Sequence, residues 1–158
     1  MVSQSVDLVI LRHGEAKPYV NSDAERELTI RGGEETRAQM AILANLGFHA
    51  DEIIHSPFVR TTQTASICQE IFPDASIRAH SGLMHSAQPE MVPLILGVSN
   101  SVLLVSHMPL VARLLLYLCP VADVYGFNVS GFARLKLNRE SLETVMTHDA
   151  TGGYRGTL

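Results

Sequence analysis

The sequence has few cysteines and aromatic residues and no long apolar run, and each shortage narrows the possible functions. Cys68 and Cys119 are its two cysteines, and they lack the close spacing of a zinc site or a redox pair, so we expect buried thiols. With 6% aromatic residues and no tryptophan, no aromatic stripe marks a partner surface. No run approaches the roughly 18 apolar residues that span a bilayer, and Met1–Leu11 lacks the basic start of a signal peptide. We therefore expect a cytoplasmic protein without a membrane partner.

A basic excess is also missing, because 12 Lys and Arg residues stand against 16 Asp and Glu residues, a formal net charge of −4. General nucleic-acid binding requires a basic surface, so we expect no nucleic-acid partner. The cations are 10 arginines and 2 lysines, a bias that favours planar recognition of carboxylate or phosphate. Local anion-binding sites remain compatible with this composition.

The 158 residues, 46% of them hydrophobic, suit a single domain over 1–158, with a loose tail at 151–158. Short apolar runs predict strands at Val6–Leu11, Glu52–His55, Ser76–His80 and Ser101–Val105. Helical patterns cover Ile30–Leu46, Val59–Ile71, Glu90–Leu96 and Leu110–Leu118, and Ser130–Leu137 pairs with Leu142–His148 as a hairpin. The alternation predicts an α/β fold: a mostly parallel central sheet with helices on both faces and the C-terminal hairpin at one side.

Polar residues follow three of the four strands at their carboxyl ends. The segments are Arg12-His13-Gly14-Glu15, His55-Ser56-Pro57-Phe58-Val59-Arg60 and Ser106-His107-Met108-Pro109. If the strands are parallel neighbours, these segments meet at one edge of the sheet, where such folds place their ligands. Two histidines, two arginines and the N-termini of two helices would then share one cleft.

Such a cleft suits a tetrahedral dianion, phosphate above all. The neutral imidazole of His13 is the expected nucleophile, which attacks phosphorus in line to form a phosphohistidine that water later cleaves. Gly14 is expected to let the chain turn sharply and approach the phosphate. His107 is expected to be protonated beside the phosphoryl group, because a dianion raises the pKa of an imidazole. Side-chain cations then replace Mg²⁺, so we expect neither a metal nor another cofactor.

Three further residues allow more than one interpretation. Arg60 in the first turn of a helix is unfavourable for the helix dipole, so something anionic must compensate it. Arg26 belongs to the phosphate shell or to a loop salt bridge. Ser56 hydrogen-bonds phosphate or caps the following helix.

These segments resemble the motifs of the histidine phosphatase superfamily. Its hallmark Arg-His-Gly stands here as Arg12-His13-Gly14, and its second phosphate-binding arginine lies in the pattern Ser56-Pro57-x-x-Arg60-x-x-x-Thr64. Its second histidine follows a late strand, as His107 does. The resemblance implies a phosphoglycerate mutase-like fold and a catalytic set of Arg12, His13, Arg60 and His107.

Within that superfamily the sequence is most similar to the SixA-type phosphohistidine phosphatases. The segments Arg12–Ala16, Arg26-x-Leu28-Thr29-x-x-Gly32 and Ser106-His107-x-Pro109-Leu110 match that group. Its substrate is a phosphorylated histidine on the phosphotransfer domain of a sensor kinase. The resemblance therefore implies an enzyme that removes phosphate from a two-component phosphorelay.

The sugar-phosphate mutases and phosphatases of the superfamily are a second resemblance, but they carry a glutamate after the third strand. That glutamate protonates an alkoxide leaving group, whereas the stretch His80–His85 here has no carboxylate. A protonated imidazole leaves phosphorus readily and needs less help from a general acid. The lack of a carboxylate therefore favours a substrate with a P–N bond. The short loops also leave little material for a lid. Whether Glu15, Glu90 or His85 acts as a general acid stays open.

Three hypotheses follow from the sequence. The leading one is a metal-independent phosphohistidine phosphatase that acts through phospho-His13. A small-molecule phosphomonoesterase is the second and requires an acid. The third is a phosphate-recognition module that keeps Arg12, Arg60 and His107 but leaves His13 idle.

Overall fold

A computed structural model describes residues 4–18, 21–122 and 127–147. Its strands are β1 Ser5–Arg12, β2 Glu52–His55, β3 Ser76–Ala79, β4 Ser101–Ser106, β5 Phe132–Asn138 and β6 Thr144–Thr147. They form one sheet in the order β3-β2-β4-β1-β5-β6. The first four of these run parallel, and β5 and β6 extend the sheet beyond β1 as an antiparallel hairpin. The predicted α/β fold, with its hairpin at one side of a mostly parallel sheet, is confirmed.

Three α-helices connect the strands: α1 Ile30–Asn45, α2 Val59–Ile71 and α3 Leu110–Leu118. Thr29 caps the start of α1, because its Oγ1 accepts a hydrogen bond from Gly32 N at 2.9 Å. After α1 the chain passes through Gly47 at φ +86°, a left-handed conformation that favours glycine. The bounds of α2 and α3 match the prediction.

The sheet is covered on both faces, and β1 shows this in its alternating side chains. Leu8 and Ile10 belong to the core cluster that contains the apolar residues of α3, and Val9 and Leu11 to the cluster that contains those of α1 and α2. A central strand with both faces buried reads as a continuous apolar run, which is the pattern of Leu8–Leu11.

The helix predicted over Glu90–Leu96 is instead a 3-10 helix, Pro89–Ile95. Pro93 lies inside this segment and has no N–H group, so it cannot donate the hydrogen bond that an α-helix requires there. The backbone uses tighter i to i+3 bonds, such as Leu96 N to Pro93 O at 3.3 Å.

The two hairpin strands begin two residues later than predicted. Ser130 and Leu142 have φ angles of 59° and 60°, which interrupts the extended backbone before β5 and β6. Ser130 N donates to the carbonyls of Arg12 and His13 at 3.1 and 3.0 Å. The turn before β5 is thus bound to the end of β1, next to the predicted nucleophile.

Cys68 and Cys119 are buried free thiols, as predicted. None of the described helices is both long and apolar enough to span a membrane. The tail 151–158, predicted to be loose, lies outside the described residues.

Candidate active site

The carboxyl ends of β1, β4 and β2 are neighbours in the sheet and form the base of a cleft of about 410 Å³. Arg12 ends β1 and His13 follows it, Arg60 lies in the first turn of α2, and His107 follows β4. All four residues border the cleft. The structure therefore brings together the residues predicted to be catalytic, and we call these four the floor.

The hydrogen bonds of His13 define which ring nitrogen is available for chemistry. Nδ1 lies 2.7 Å from the carbonyl oxygen of Gly14, which can only accept, so Nδ1 carries the proton and Nε2 keeps its lone pair. That lone pair accepts a hydrogen bond from Arg60 Nε at 3.3 Å. Burial, together with the charges of Arg60 and Arg12, lowers the pKa of His13 to about 4. At neutral pH the ring is therefore uncharged and lies beside the cations Arg60 and Arg12.

His107 is packed edge-on to His13, with ring centroids 5.3 Å apart. Its Nε2 lies 2.7 Å from Ser56 Oγ. Burial, then the neighbouring His13 and Arg60, lowers the pKa of His107 to about 3, so the ring is neutral in the ligand-free protein. The protonated state expected from the sequence requires a bound dianion, which would raise this pKa.

Two buried nitrogens of the floor have no hydrogen-bond partner among the described residues: Arg12 Nε and His107 Nδ1. The Arg12 side chain is otherwise held by a bond from NH1 to the carbonyl of Phe127 at 3.0 Å. Leaving a buried polar group unpaired costs about 1–3 kcal/mol, so a ligand with several acceptors is favoured there. A tetrahedral oxyanion meets that requirement.

Asp23 is a residue of this site that the sequence reasoning missed. Arg60 donates from NH1 to the carbonyl of Asp23 at 2.7 Å and from NH2 to its Oδ2 at 3.1 Å. Although partial burial acts to raise it, hydrogen bonds from Arg26 and Arg60 hold the pKa of Asp23 below its ordinary value. Asp23 thus supplies the negative charge that Arg60 requires in the first turn of α2. That requirement was the signal in the sequence, and it indicated an anion without identifying the residue.

Arg26 forms the loop salt bridge considered for it and also lies at the cleft, where the phosphate shell was expected. It borders the cleft, and its NH1 donates to Asp23 Oδ1 at 3.1 Å while its Nε donates to the carbonyl of Lys17 at 2.8 Å. The loop salt bridge is therefore present, and the guanidinium also faces the space where an anion would bind.

Gly14 and Ser56 lie beneath the floor and do not line the cleft. A side chain at Gly14 would place its Cβ 2.7 Å from the carbonyl of Gly32, so the need for glycine here comes from close contact with α1. The Gly14 N–H is donated to Thr64 Oγ1 at 3.1 Å. Ser56 is fully buried behind His107, and its Oγ also accepts a long bond from Phe58 N at 3.5 Å. Both residues support the floor from below.

The three candidate general acids differ in whether they border the cleft. His85 and Glu15 border the cleft, whereas the exposed Glu90 does not. Glu15 Oε1 accepts a hydrogen bond from Thr29 Oγ1 at 2.9 Å. We call Asp23, Arg26 and His85 the rim, because all three reach the cleft from the connections between the strands and α-helices. Within the described ranges, no three His, Cys, Asp or Glu side chains are grouped as metal ligands.

The family model of the histidine phosphatase superfamily (branch 1) matches residues 8–86, which contain three of the four floor residues. The chain belongs to this superfamily. The predicted resemblance is thereby confirmed.

Individual relatives refine the assignment. The phosphohistidine phosphatase SixA of Escherichia coli (strain K12) is 30% identical over 146 residues, covering 84% of this chain and 86% of SixA. A SixA homolog of Haemophilus influenzae is 31% identical over 134 residues, covering 77% and 78% of the two chains. The solved structure of the protein histidine phosphatase SixA with tungstate has a TM-score of 0.82 at 29% identity and covers 90% of this chain and 94% of that one.

The wider fold is shared with a Plasmodium falciparum phosphoglycerate mutase, at a TM-score of 0.69 and 16% identity, over 95% of this chain and 93% of that one. The phosphoglycerate mutase-like fold is therefore confirmed. The superfamily match and the similarity to SixA together identify this protein as a SixA-like hydrolase.

Proposed function

We propose that this protein is a metal-independent phosphohistidine phosphatase that acts through a covalent phospho-His13 intermediate. The observation that carries the proposal is the state of His13. Its Nδ1–H donates to the Gly14 carbonyl, its pKa is lowered to about 4, and its Nε2 lone pair faces the cations of the floor and accepts a hydrogen bond from Arg60. A neutral nucleophile beside donors for a tetrahedral anion is the arrangement that phosphoryl transfer requires.

In the first step, Nε2 of His13 attacks phosphorus in line, the Nε2–P bond forms, and the P–N bond to the substrate imidazole breaks. Arg12, Arg60 and His107 bind the oxygens on which the charge is spread in the transition state. The Gly14 carbonyl continues to accept the hydrogen bond from Nδ1–H and so stabilises the positive charge that the ring acquires. In the second step, water attacks phosphorus, inorganic phosphate leaves, and Nε2 regains its lone pair.

We propose as the substrate a phosphorylated histidine on the phosphotransfer domain of a sensor kinase, in a two-component phosphorelay. Similarity to SixA, a protein histidine phosphatase, supports a protein that carries a phosphohistidine as the substrate. The exposure of the site is compatible with it: His13 is 8% exposed and His107 1% at the floor, whereas the Asp23 side chain is 42% exposed at the rim. A histidine presented by another protein could enter from this side. The absence of a carboxylate between His80 and His85 further favours a leaving group that carries its own proton.

The test compares three substrates in the presence of EDTA: a histidine-phosphorylated phosphotransfer domain, p-nitrophenyl phosphate and a sugar phosphate. We expect the highest kcat/KM for the phosphorylated domain and no effect of EDTA. Rapid quenching with radiolabelled substrate should trap an acid-labile phosphoenzyme, because a phosphohistidine hydrolyses in acid.

Two results would contradict the proposal and identify the alternative. A higher kcat/KM for the sugar phosphate indicates a small-molecule phosphomonoesterase. Binding of the phosphorylated domain without phosphate release and without a phosphoenzyme indicates a phosphate-recognition module.

A further inference from the structure

His85 is a third imidazole at the cleft, and the proposed mechanism does not use it. It lies between the 3-10 helices Ser81–Leu83 and Pro89–Ile95, half-buried, with its ring 5.8 Å from the ring of His107. Its Nδ1 is buried without a hydrogen-bond partner among the described residues. A buried polar atom without a hydrogen-bond partner requires an explanation, and the position of His85 beside His107 suggests a role in the reaction.

The orientation of His85 is set by packing. Phe58 contacts the rings of both His107 and His85, at 4.9 and 5.5 Å. The rings of His13 and His107 have centroids 5.3 Å apart and those of His107 and His85 have centroids 5.8 Å apart, so His107 contacts both of the other imidazoles at the cleft.

The carboxylates that border the cleft are already engaged. Asp23 accepts hydrogen bonds from Arg26 and Arg60, and Glu15 accepts one from Thr29. His85 is therefore the best-placed group of the rim to exchange a proton, and imidazole is the side chain most often used for that purpose.

We propose that His85 is a further catalytic residue, which transfers a proton to the atom that leaves phosphorus and accepts one from the water that attacks it. This inference rests on the proposed phospho-His13 pathway. With a phosphate ester, in the first step the Nε2–P bond forms, the bond from phosphorus to the leaving oxygen breaks, and the His85 imidazolium gives its proton to that oxygen. In the second step the water oxygen bonds to phosphorus, the Nε2–P bond breaks, and the water proton returns to His85.

The assignment predicts which substrates depend on His85. A protonated substrate imidazole already carries its proton, and p-nitrophenolate is stable without one. An unsubstituted phenolate is a poorer leaving group and gains most from a proton donor. His85 therefore widens the range of leaving groups that the cleft accepts.

The test measures kcat/KM of the full chain and of His85→Gln with p-nitrophenyl phosphate and with phenyl phosphate. We expect His85→Gln to lose about 100-fold on phenyl phosphate, in the range of general acid catalysis, and less than about 3-fold on p-nitrophenyl phosphate. The matched control is His49→Gln, since His49 is exposed in the connection between α1 and β2, at the other edge of the sheet. We expect it to resemble the wild type on both esters.

A structural role for His85 gives different results. If His85→Gln lowers kcat/KM equally on both esters, or on neither, the proposal is overturned. The inhibition constant of inorganic phosphate should stay within about twofold of the wild-type value, because Arg12, Arg60 and His107 remain in place. Wild-type protein that dephosphorylates phosphohistidine but hydrolyses neither ester would overturn the role of His85 and leave the proposed function standing. Failure on all three substrates would instead refute the proposed function.

Discussion

The floor and the rim of the cleft are built in different ways. The floor residues His13 and His107 directly follow two central strands and are 8% and 1% exposed. The rim residues lie in connections between the strands and α-helices, Asp23 in the short 3-10 helix Asp23–Glu25 and His85 in a loop, and the Asp23 side chain is 42% exposed. Rigid elements thus fix the groups that would touch phosphorus, whereas loop hydrogen bonds and ring contacts fix the groups around the entrance. Substitutions on the floor should therefore abolish turnover, and substitutions on the rim should modulate it.

The largest effect is expected for His13→Ala on the floor. Without Nε2 there is no covalent intermediate, so kcat on the phosphorylated domain should decrease by roughly 10⁴-fold or more, as for other nucleophiles. Phosphate binding should largely persist, because Arg12, Arg60 and His107 are retained. Quenched-flow measurement of the phosphoenzyme and calorimetric titration with phosphate separate the two properties. A variant that keeps the wild-type rate would exclude His13 as the nucleophile.

Arg60→Lys is a more conservative substitution on the floor, with a smaller expected effect than His13→Ala. Lysine keeps the charge but loses the planar fork that contacts Asp23 and His13 together, at 3.1 and 3.3 Å. We expect kcat/KM to decrease by about 10²- to 10³-fold, the range for loss of a donor to the transition state. Arg37→Lys is the control, since Arg37 is half-exposed and paired with Glu70. If both substitutions have equal effects, Arg60 has no special role.

The buried imidazoles of the floor also make stability depend on pH. His13 and His107 have pKa values of about 4 and about 3 in the folded protein, below the ordinary 6.5, so between these values the unfolded chain binds protons that the folded chain does not. The free energy of unfolding should be highest above pH 6.5 and should decrease as the pH falls, by roughly 3 kcal/mol for His13 on reaching pH 4. Urea unfolding at pH 7 and pH 4 measures the loss. His107→Gln should reduce it, and an unchanged difference would contradict this account.

Sequence reasoning could predict the floor because its position follows from topology. Apolar runs mark β1 and β4, parallel strands end at one edge, and the residues after those ends must meet there. Arg12, His13 and His107 are therefore close in space, although β1 and β4 are far apart in sequence. No side-chain contact had to be known in advance.

The rim could not be predicted in the same way, because its residues are identified by side-chain contacts that leave no periodic pattern in the sequence. The polar segment between β1 and α1 has no repeating pattern, so nothing identified Asp23 as the partner of Arg60 across 37 positions. His85 could be named as a candidate acid, but only its ring contacts with His107 and Phe58 place it at the cleft. The same limit explains the error at Pro89–Ile95, where Pro93 changed the hydrogen-bond pattern without changing the apolar pattern.

The smallest effect is expected for Asp23→Asn on the rim. The substitution removes the negative charge between Arg60 and Arg26 but leaves the Asp23 carbonyl, which still accepts from Arg60 NH1 at 2.7 Å. One charged hydrogen bond to Arg60 is weakened, so kcat/KM on the phosphorylated domain should decrease by about 5- to 10-fold, equivalent to roughly 1 kcal/mol.

Asp74→Asn is the matched control for this rim substitution, because Asp74 is exposed beyond the end of α2, and it should leave kcat/KM unchanged. The direction of the change at Asp23 decides its role. A decrease in kcat/KM shows that the carboxylate orients Arg60 for the substrate. An increase in phosphate affinity and in kcat/KM would show instead that Asp23 competes with the substrate for the two guanidiniums, and the rim would then restrain the floor.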